Sequence, residues 1–290
     1  VIVVDTRDEL RHVRHSLDGD VAVVMTMGAL HEGHRALIRE ARKRADNVLV
    51  TVFVNPLQFA PTEDLDRYPR PFEDDVRACH EEGADVVFAP PPDVVYPDGD
   101  PLVRVSAGPL GDVLEGASRP GHFDGVLTVV AKLLHLTRPD VAVFGQKDAQ
   151  QLLLIKRMVR DLDFAVRVVG VPTVREPDGL ALSSRNAYLS REERDAALAI
   201  SRALKAGESV AAQGPEAVRE AAQRVLGQEP RLNVDYLALV DPETLQPLSR
   251  SHDAALLAVA ARSGSTRLID NVTMTVGPAA GPAGTYSKEP

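Results

Sequence analysis

The chain has 290 residues, 44% of them hydrophobic, which suffices for a sizeable core and makes two domains the default expectation. Its 42 acidic and 33 basic residues leave a formal charge of −9, with −6 over residues 1–175 and −3 over the rest, which argues against a whole-protein field that gathers nucleic acid. Cys79 stands alone, removing an intramolecular disulfide and any cysteine-cluster metal site, and no apolar run reaches the ~18 residues of a transmembrane helix.

Residues 1–11 pass from an apolar triplet straight into charges, unlike a signal peptide, so a cytoplasmic location is expected. Residues 21–25 read as a buried strand, 34–45 as an amphipathic helix with Ala36, Leu37, Ile38 and Ala41 on its apolar face, and 47–55 as a second strand. A helix over 72–82 ends at Gly83, and 85–89 is a strand. Residues 125–136 read as a helix, 141–144 as a strand, 147–160 as a helix and 166–171 as a strand. Strands separated by helices of this length predict a doubly wound parallel α/β sheet, whose ligand lies beyond the carboxyl ends of the strands. After Arg185 the pattern changes to helices over 191–206 and 215–226, then strands over 234–240, 255–261 and 266–276, which predicts a separate small α+β domain. The Gly-, Pro- and Ala-rich ending is expected to be disordered.

The densest signal is MGALHEGH, residues 27–34, where the first strand gives way to a helix. Gly28 and Gly33 let backbone approach a ligand closely, and His31 and His34 can point from one face of the helix start. Free amides at a helix start favour phosphate, and imidazoles add donors. The histidines of a zinc-protease helix stand four apart, not three, so that chemistry is excluded; two solvated loop histidines remain the plain alternative. FGQKD, residues 144–148, has the same placement. Only 6 of the 33 basic residues are lysine, which makes Lys147 a candidate for a phosphate chain. Gln151, four residues on, would face the same pocket, and Asp148 could accept from ribose hydroxyls; a helix-end charge pair is the alternative. In the polar loop 178–186, Ser183, Ser184 and Arg185 suit phosphate, unless hydroxyls there and at Ser190 serve to cap the next helix. In FVNPLQF, residues 53–59, Asn55 and Gln58 are neutral amides able to read a small hydroxy acid, unless Asn55 and Pro56 only start a turn.

Taken in order, MGALHEGH, FVNPLQF, RPGHFDGVLTVV (119–130), FGQKD with Gln151, and LSSRN (182–186) resemble the pantothenate synthetase (pantoate–β-alanine ligase) family over residues 21 to about 276. The resemblance implies a Rossmann-like, HIGH-type nucleotidyltransferase fold akin to class I aminoacyl-tRNA synthetases. Residues 1–174 would bind ATP and pantoate, 175–276 would form a small lid domain, and 277–290 would be a disordered tail. It implies a carbon–nitrogen ligase that joins pantoate to β-alanine with ATP through an enzyme-bound pantoyl adenylate, releasing pyrophosphate and AMP. Met27, Gly28, Ala29, Leu30, His31, Glu32, Gly33 and His34 would line the ATP phosphates, with His34 the proton donor. Gly145, Gln146, Lys147 and Asp148 would bind ATP, with Asp148 at the ribose and Lys147 at the phosphates. Val174 and Leu182 would flank the nucleotide while Ser183, Ser184 and Arg185 close over its phosphates. Gln58 and Gln151 would hold pantoate, Gln58 also lying near β-alanine, with Asn55 beside them and Met27 and Phe144 seating the gem-dimethyl group. Arg119 and His122 are expected to reach the site; whether Asp74 and Asp75 do is left open. Mg²⁺ would sit mainly on ATP phosphates, with no protein metal site of its own. A homodimer is implied, with no nucleic-acid or membrane partner. The sequence departs from the family pattern at Met25, Gln146 and Ala149, none of which removes a charge or hydroxyl that the chemistry needs.

Because pantoate's carboxylate is already ionised, adenylation calls for positioning and positive charge rather than a strong base. The anhydride then needs shelter from water, and the polar segment 60–71 is the expected flap. Three competing readings share the motifs. An enzyme transferring AMP to a phosphate ester would want extra cations, against which the neutral Asn55, Gln58 and Gln151 argue. A nucleotide sensor would bind ATP without turnover, and a truncated tRNA synthetase is disfavoured by the acidic balance.

Overall fold

The computed structural model describes residues 1–60, 65–248 and 254–277. The centre of the expected flap, 61–64, and the tail from 278 onward lie outside these. The chain divides into two compact units, one formed by Val1–Val174 with Leu182–Ser184, the other by Arg175–Ala181 and the residues from Arg185 onward. Leu182–Ser184 thus returns to the first unit while Arg185 belongs to the second.

In the first unit β1 (Ile2–Val4) and α1 (Arg7–Ser16) precede β2 (Val21–Thr26), α2 (Glu32–Arg42) and β3 (Asn47–Val52). Then come α3 (Phe72–Glu81), β4 (Val86–Phe88), the single-turn α4 (Pro92–Val95) and α5 (Glu115–Ser118), and α6 (His122–Thr137). The run closes with β5 (Val141–Gly145), α7 (Ala149–Asp161) and β6 (Arg167–Val171). All neighbouring strands pair in parallel, in the order β1-β4-β3-β2-β5-β6. Successive residues of one strand enter different cores, as the two-residue period of a strand requires. Val21, Val23, Leu49, Phe88, Ala142 and Phe144 pack with residues of α1, α6 and α7; Ala22, Val24, Val48, Val50, Val87 and Val143 pack with Ile38, Ala41 and Cys79 of α2 and α3. Helices cover both faces, which is why the strands read as unbroken apolar runs.

Sequence patterning missed β1 and α1. The strand has three residues, and only Leu10 of the helix is fully buried. A signal was present: Thr6 and Glu9 form a capping box, the T-x-x-E pattern that marks a helix start.

The second unit holds α8 (Arg191–Ser209), α9 (Pro215–Gly227) and an antiparallel sheet of β7 (Leu232–Val240), β8 (Ala254–Ser263) and β9 (Thr266–Thr275) in that order. Its core joins Ala197, Ile200, Leu204, Val218 and Leu226 of the helices to Leu257, Val259 and Leu268 of the sheet. Ser190 and Glu193 form the capping box of α8, so the helix is capped without Ser183 or Ser184. Arg175 makes a bidentate ion pair with the buried Asp270 at 2.6 and 3.0 Å, a geometry suited to a guanidinium and a carboxylate.

Chain direction reverses its walk across the sheet between β2 and β5: β3 and β4 lie to one side of β2, and β6 lies beyond β5. This is the topological switch point, where a doubly wound sheet opens a crevice for ligand beyond its strand ends. MGALHEGH leaves β2, FGQKD ends β5 and FVNPLQF leaves β3, all from the same edge of the sheet.

Candidate active site

The segment after β2 is closed on itself. Gly28 and Ala29 take left-handed conformations in succession (φ 83° and 51°), turning the chain sharply before α2. The amide of Gly28 donates to Thr26 Oγ1 at 3.2 Å. Those of Ala29 and Leu30 donate to the two carboxylate oxygens of Asp75 at 2.9 and 2.7 Å. A Cβ at Gly28 would stand 2.9 Å from Asp75 Oδ2, so the glycine is needed for this approach as well as for its φ. Asp75 is only 2% exposed; burial pushes its carboxyl up, while the two amides pull the other way. Asp74, next to it, pairs with Arg77 on the surface instead.

Two histidines complete the turn as a reciprocal cap. His31 is the N-cap of α2, its Nδ1 accepting from the Gly33 amide at 3.1 Å, while His34 Nδ1 accepts from the His31 amide at 3.3 Å. The ring centroids lie 4.1 Å apart. Because both Nδ1 atoms face N–H donors, a neutral ring at either position carries its proton on Nε2. Burial, with His31 and Lys147 acting in the same direction and Asp148 opposing, pushes the His34 imidazole down to about 3, so at neutral pH it is uncharged. Gly33 carries no side chain because a Cβ there would meet the His31 ring at 2.8 Å.

This geometry corrects one expectation. Ala29 and Leu30 were expected among residues lining phosphates through a helix start with free amides. The amides of Gly28, Ala29, Leu30, His31, Gly33 and His34 are all engaged within the protein. What the segment offers an anion is therefore the imidazoles rather than these six amides.

The segment after β5 is more open. Helix α7 begins at Ala149 with Asp148 as its N-cap residue, and the Asp148 side chain makes no capping bond. Lys147 therefore precedes the helix, whereas the sequence reading began the helix at 147, so the four residues from Lys147 to Gln151 span the turn into α7. Both Lys147 and Asp148 act electrostatically on His34, which places the ends of β2 and β5 in one neighbourhood. The amide of Gln146 donates to Val171 O at 2.8 Å, and its side chain lies over Gly170 of β6. Phe144 is 5% exposed in the main core, whereas Met27 is half-buried.

Adjacent glutamines on α7 differ sharply. Gln150 is buried and saturated, donating to Leu110 O and Val113 O at 2.8 Å each and accepting from the Glu115 amide at 3.0 Å. Gln151 is half-buried, and its amide has no hydrogen bond among the described residues.

After β3 the chain makes a 3-10 turn, Pro56–Gln58, capped by the Asn55 side chain. Asn55 is 1% exposed. Its Oδ1 accepts from the Leu57 amide at 3.3 Å and the Tyr96 hydroxyl at 2.9 Å, and its Nδ2 donates to Gly125 O and Gln58 Oε1 at 3.1 Å each. The donors and acceptors of Asn55 are thus engaged inside the protein, and it caps the turn that carries Gln58. His122 Nδ1 and Arg119 reach the Gln58 carbonyl at 2.9 and 3.3 Å, so these two expected residues brace the backbone of Gln58. A Cβ at Gly125 would overlap Leu57 O at 2.1 Å, which explains the glycine where α6 meets the turn. Sequence reasoning missed Asp75's grip and Tyr96 entirely, since each acts across more than 40 residues of chain.

In the Leu182–Ser184 stretch, the Leu182 amide donates to Val174 O at 3.0 Å. A Cβ at Gly33 would lie 3.9 Å from Leu182 Cβ, so Val174 and Leu182 stand together beside the start of α2. Arg185, in the second unit, takes part in a 3-10 turn, Ser184–Tyr188.

A doubly wound parallel sheet with paired imidazoles, a lysine and an uncapped carboxylate at its switch point defines a nucleotide-binding α/β enzyme. The Pantoate-beta-alanine ligase family matches residues 2–273, and the chain belongs to that family. It is 57% identical over 285 residues to the pantothenate synthetase of Thermobifida fusca (strain YX), covering 95% of this chain and 96% of that one. The crystal structure of pantothenate synthetase from Thermus thermophilus is similar with a TM-score of 0.88 and 50% identity, over 94% of this chain and 99% of that one. A pantoate-beta-alanine ligase from Francisella tularensis, complexed with beta-gamma ATP and beta-alanine, aligns with a TM-score of 0.78 at 34% identity, over 94% and 97%.

Proposed function

We propose that this chain joins pantoate to β-alanine in two steps at the β2/β5 switch point, by way of a pantoyl adenylate. The overall reaction is the family's ATP-dependent condensation. In the first step a pantoate carboxylate oxygen attacks the α-phosphorus of ATP, and the bond to pyrophosphate breaks. In the second the neutral amine of β-alanine attacks the carboxyl carbon of the mixed anhydride, the amide forms, and AMP leaves with the former carboxylate oxygen.

The observation that carries this reading is the rigid imidazole pair at the end of β2, beside Lys147 and Asp148. The transition state spreads negative charge over phosphate oxygens, and fixed donors stabilise it without reorganising. His31 and His34 present Nε2–H donors, and Lys147 supplies a cation. His34, being neutral, serves as a hydrogen-bond donor rather than as a strong acid. Asp148 accepts from the ribose hydroxyls, Val174 and Leu182 flank the nucleotide, and Ser183 and Ser184 donate to phosphate. Gln58 and Gln151 hold pantoate by their amides, with Met27 against its methyl groups. A Mg²⁺ entering with ATP would be held mainly by phosphate oxygens and water, as a small hard cation that keeps several waters. Bound there, it would neutralise phosphate charge.

Among the described residues no helix is long and apolar enough to cross a membrane; a cytoplasmic homodimer is part of the reading, and sedimentation of the purified protein checks the dimer. The central test is AMP release with ATP plus pantoate, ATP plus β-alanine, and all three. Turnover is expected only with all three. AMP formation that needs β-alanine but not pantoate would overturn the reading.

A further inference from the structure

We infer that Asn55 and Tyr96 form a positioning relay that fixes which end of the Gln58 amide faces pantoate. The inference rests on the proposed contact between Gln58 and pantoate and adds to it the reason that contact has one polarity. A glutamine side chain is nearly symmetric in shape, so without a partner of known polarity it can offer a ligand either its carbonyl or its NH₂. The two faces are opposite in chemistry: one repels a carboxylate, the other binds it.

The polarity here is set by backbone groups that cannot change role. The Leu57 amide can only donate, and it meets Asn55 Oδ1 at 3.3 Å; the Gly125 carbonyl can only accept, and it meets Asn55 Nδ2 at 3.1 Å. Asn55 therefore stands one way round. The Tyr96 hydroxyl adds its proton to Oδ1 at 2.9 Å, and burial raises its pKa, so it stays a donor wherever the enzyme works. Asn55 then spends its remaining N–H on Gln58 Oε1 at 3.1 Å. Gln58 Nε2 is left with the thioether of Met27 at 3.1 Å, a weak acceptor that hardly competes with a ligand oxygen. The outcome is a donor aimed at the ligand, suited to a carboxylate or hydroxyl oxygen. Meanwhile His122 and Arg119 hold the Gln58 carbonyl, so the backbone cannot swing to compensate.

Tyr96→Phe removes one hydrogen bond from the relay and leaves the ring in the core. Its expected effect is a rise in the pantoate KM of about 3- to 10-fold, the size of one net hydrogen bond, with the ATP KM nearly unchanged and the thermal midpoint modestly lowered. The test is a double-mutant cycle with Gln58→Ala, reading both KM values and the melting temperature of each variant. If Tyr96 acts through Gln58, Tyr96→Phe changes the pantoate KM in the parent enzyme and adds nothing in the Gln58→Ala background. An unchanged pantoate KM in Tyr96→Phe, or the same rise in both backgrounds, overturns the relay while leaving Gln58 at pantoate. If Gln58→Ala itself leaves the pantoate KM untouched, the contact with pantoate is wrong and the relay falls with it.

Discussion

The strand ends on either side of the switch point are built on opposite plans. Beyond β2 the chain spends its amides internally, on Asp75, Thr26 and the two imidazoles. Beyond β5 it leaves Asp148 uncapped and the Gln151 amide without a hydrogen bond among the described residues. A group already bonded within the protein loses little freedom when a ligand arrives, which suits charge that develops only in the transition state. A group with open valences suits recognition of a substrate present from the start. On the proposed function, the first end would be a rigid electrostatic fixture and the second a reading surface.

Lys147 offers the sharpest way to break that division, because it stands beside both. Lys147→Ala should cut pantoate-dependent ATP–pyrophosphate exchange by roughly 10²-fold or more if its cation neutralises phosphate charge in the transition state. Near-normal exchange would remove it from the chemistry. Asp75→Asn tests the rigid end without touching ligand. One of the two amides would then face an NH₂ group, and an unsatisfied buried donor costs about 1–3 kcal/mol. The expected result is a stability loss of that order together with a lower kcat, read by denaturant titration and steady-state assay. Full kcat with reduced stability would mean that the turn's geometry is immaterial to the reaction.

The adjacent glutamines sharpen the same contrast at smaller scale. Gln151→Ala should raise the pantoate KM roughly tenfold, the worth of a good polar contact, and leave stability unchanged. Gln150→Ala should do the reverse, costing about 1–3 kcal/mol of stability by removing the side-chain partner of the buried Glu115 amide and of the Leu110 carbonyl. Equal effects on both quantities at both positions would erase the distinction.

Protonation gives the subtlest check. In the unliganded protein His34 has a pKa of about 3 against an ordinary 6.5. Between those values the unfolded chain binds more protons than the folded one at this position, so stability rises with pH across that window. The His34 contribution is complete above pH 6.5 and is lost as pH falls toward 3. An NMR titration of the His34 ring should show no protonation between about pH 8 and 5; a midpoint near the ordinary 6.5 would mean that burial is not in control.

Much of the fold was legible because β2, β3, β4 and β5 are buried on both faces and read as apolar runs between helices with clear periodicity. Their ends were less so. The strand read over 47–55 stops at Val52, because Asn55 turns its side chain to cap Pro56–Gln58. The helix read from 147 starts at Ala149, which moved Lys147 off the helical face. Of the site, the motif residues stood out, but their partners did not. Asp75 lies 45 and 46 residues from the amides it holds, and Tyr96 lies 41 from Asn55. Nothing local in the chain marks either, since the fold alone brings them together.

The claim beneath all of this is that pantoate's carboxylate attacks the α-phosphate. Pantoate carrying ¹⁸O in its carboxylate tests it directly. Through an adenylate, one labelled oxygen must end in the phosphate of AMP and none in pyrophosphate, since the amide-forming step breaks the carbon–oxygen bond to the phosphate. Mass spectrometry of the products should find that single label in AMP. Label in inorganic phosphate, with ADP as the nucleotide product, would mean that the γ-phosphate is the one attacked and would contradict the account.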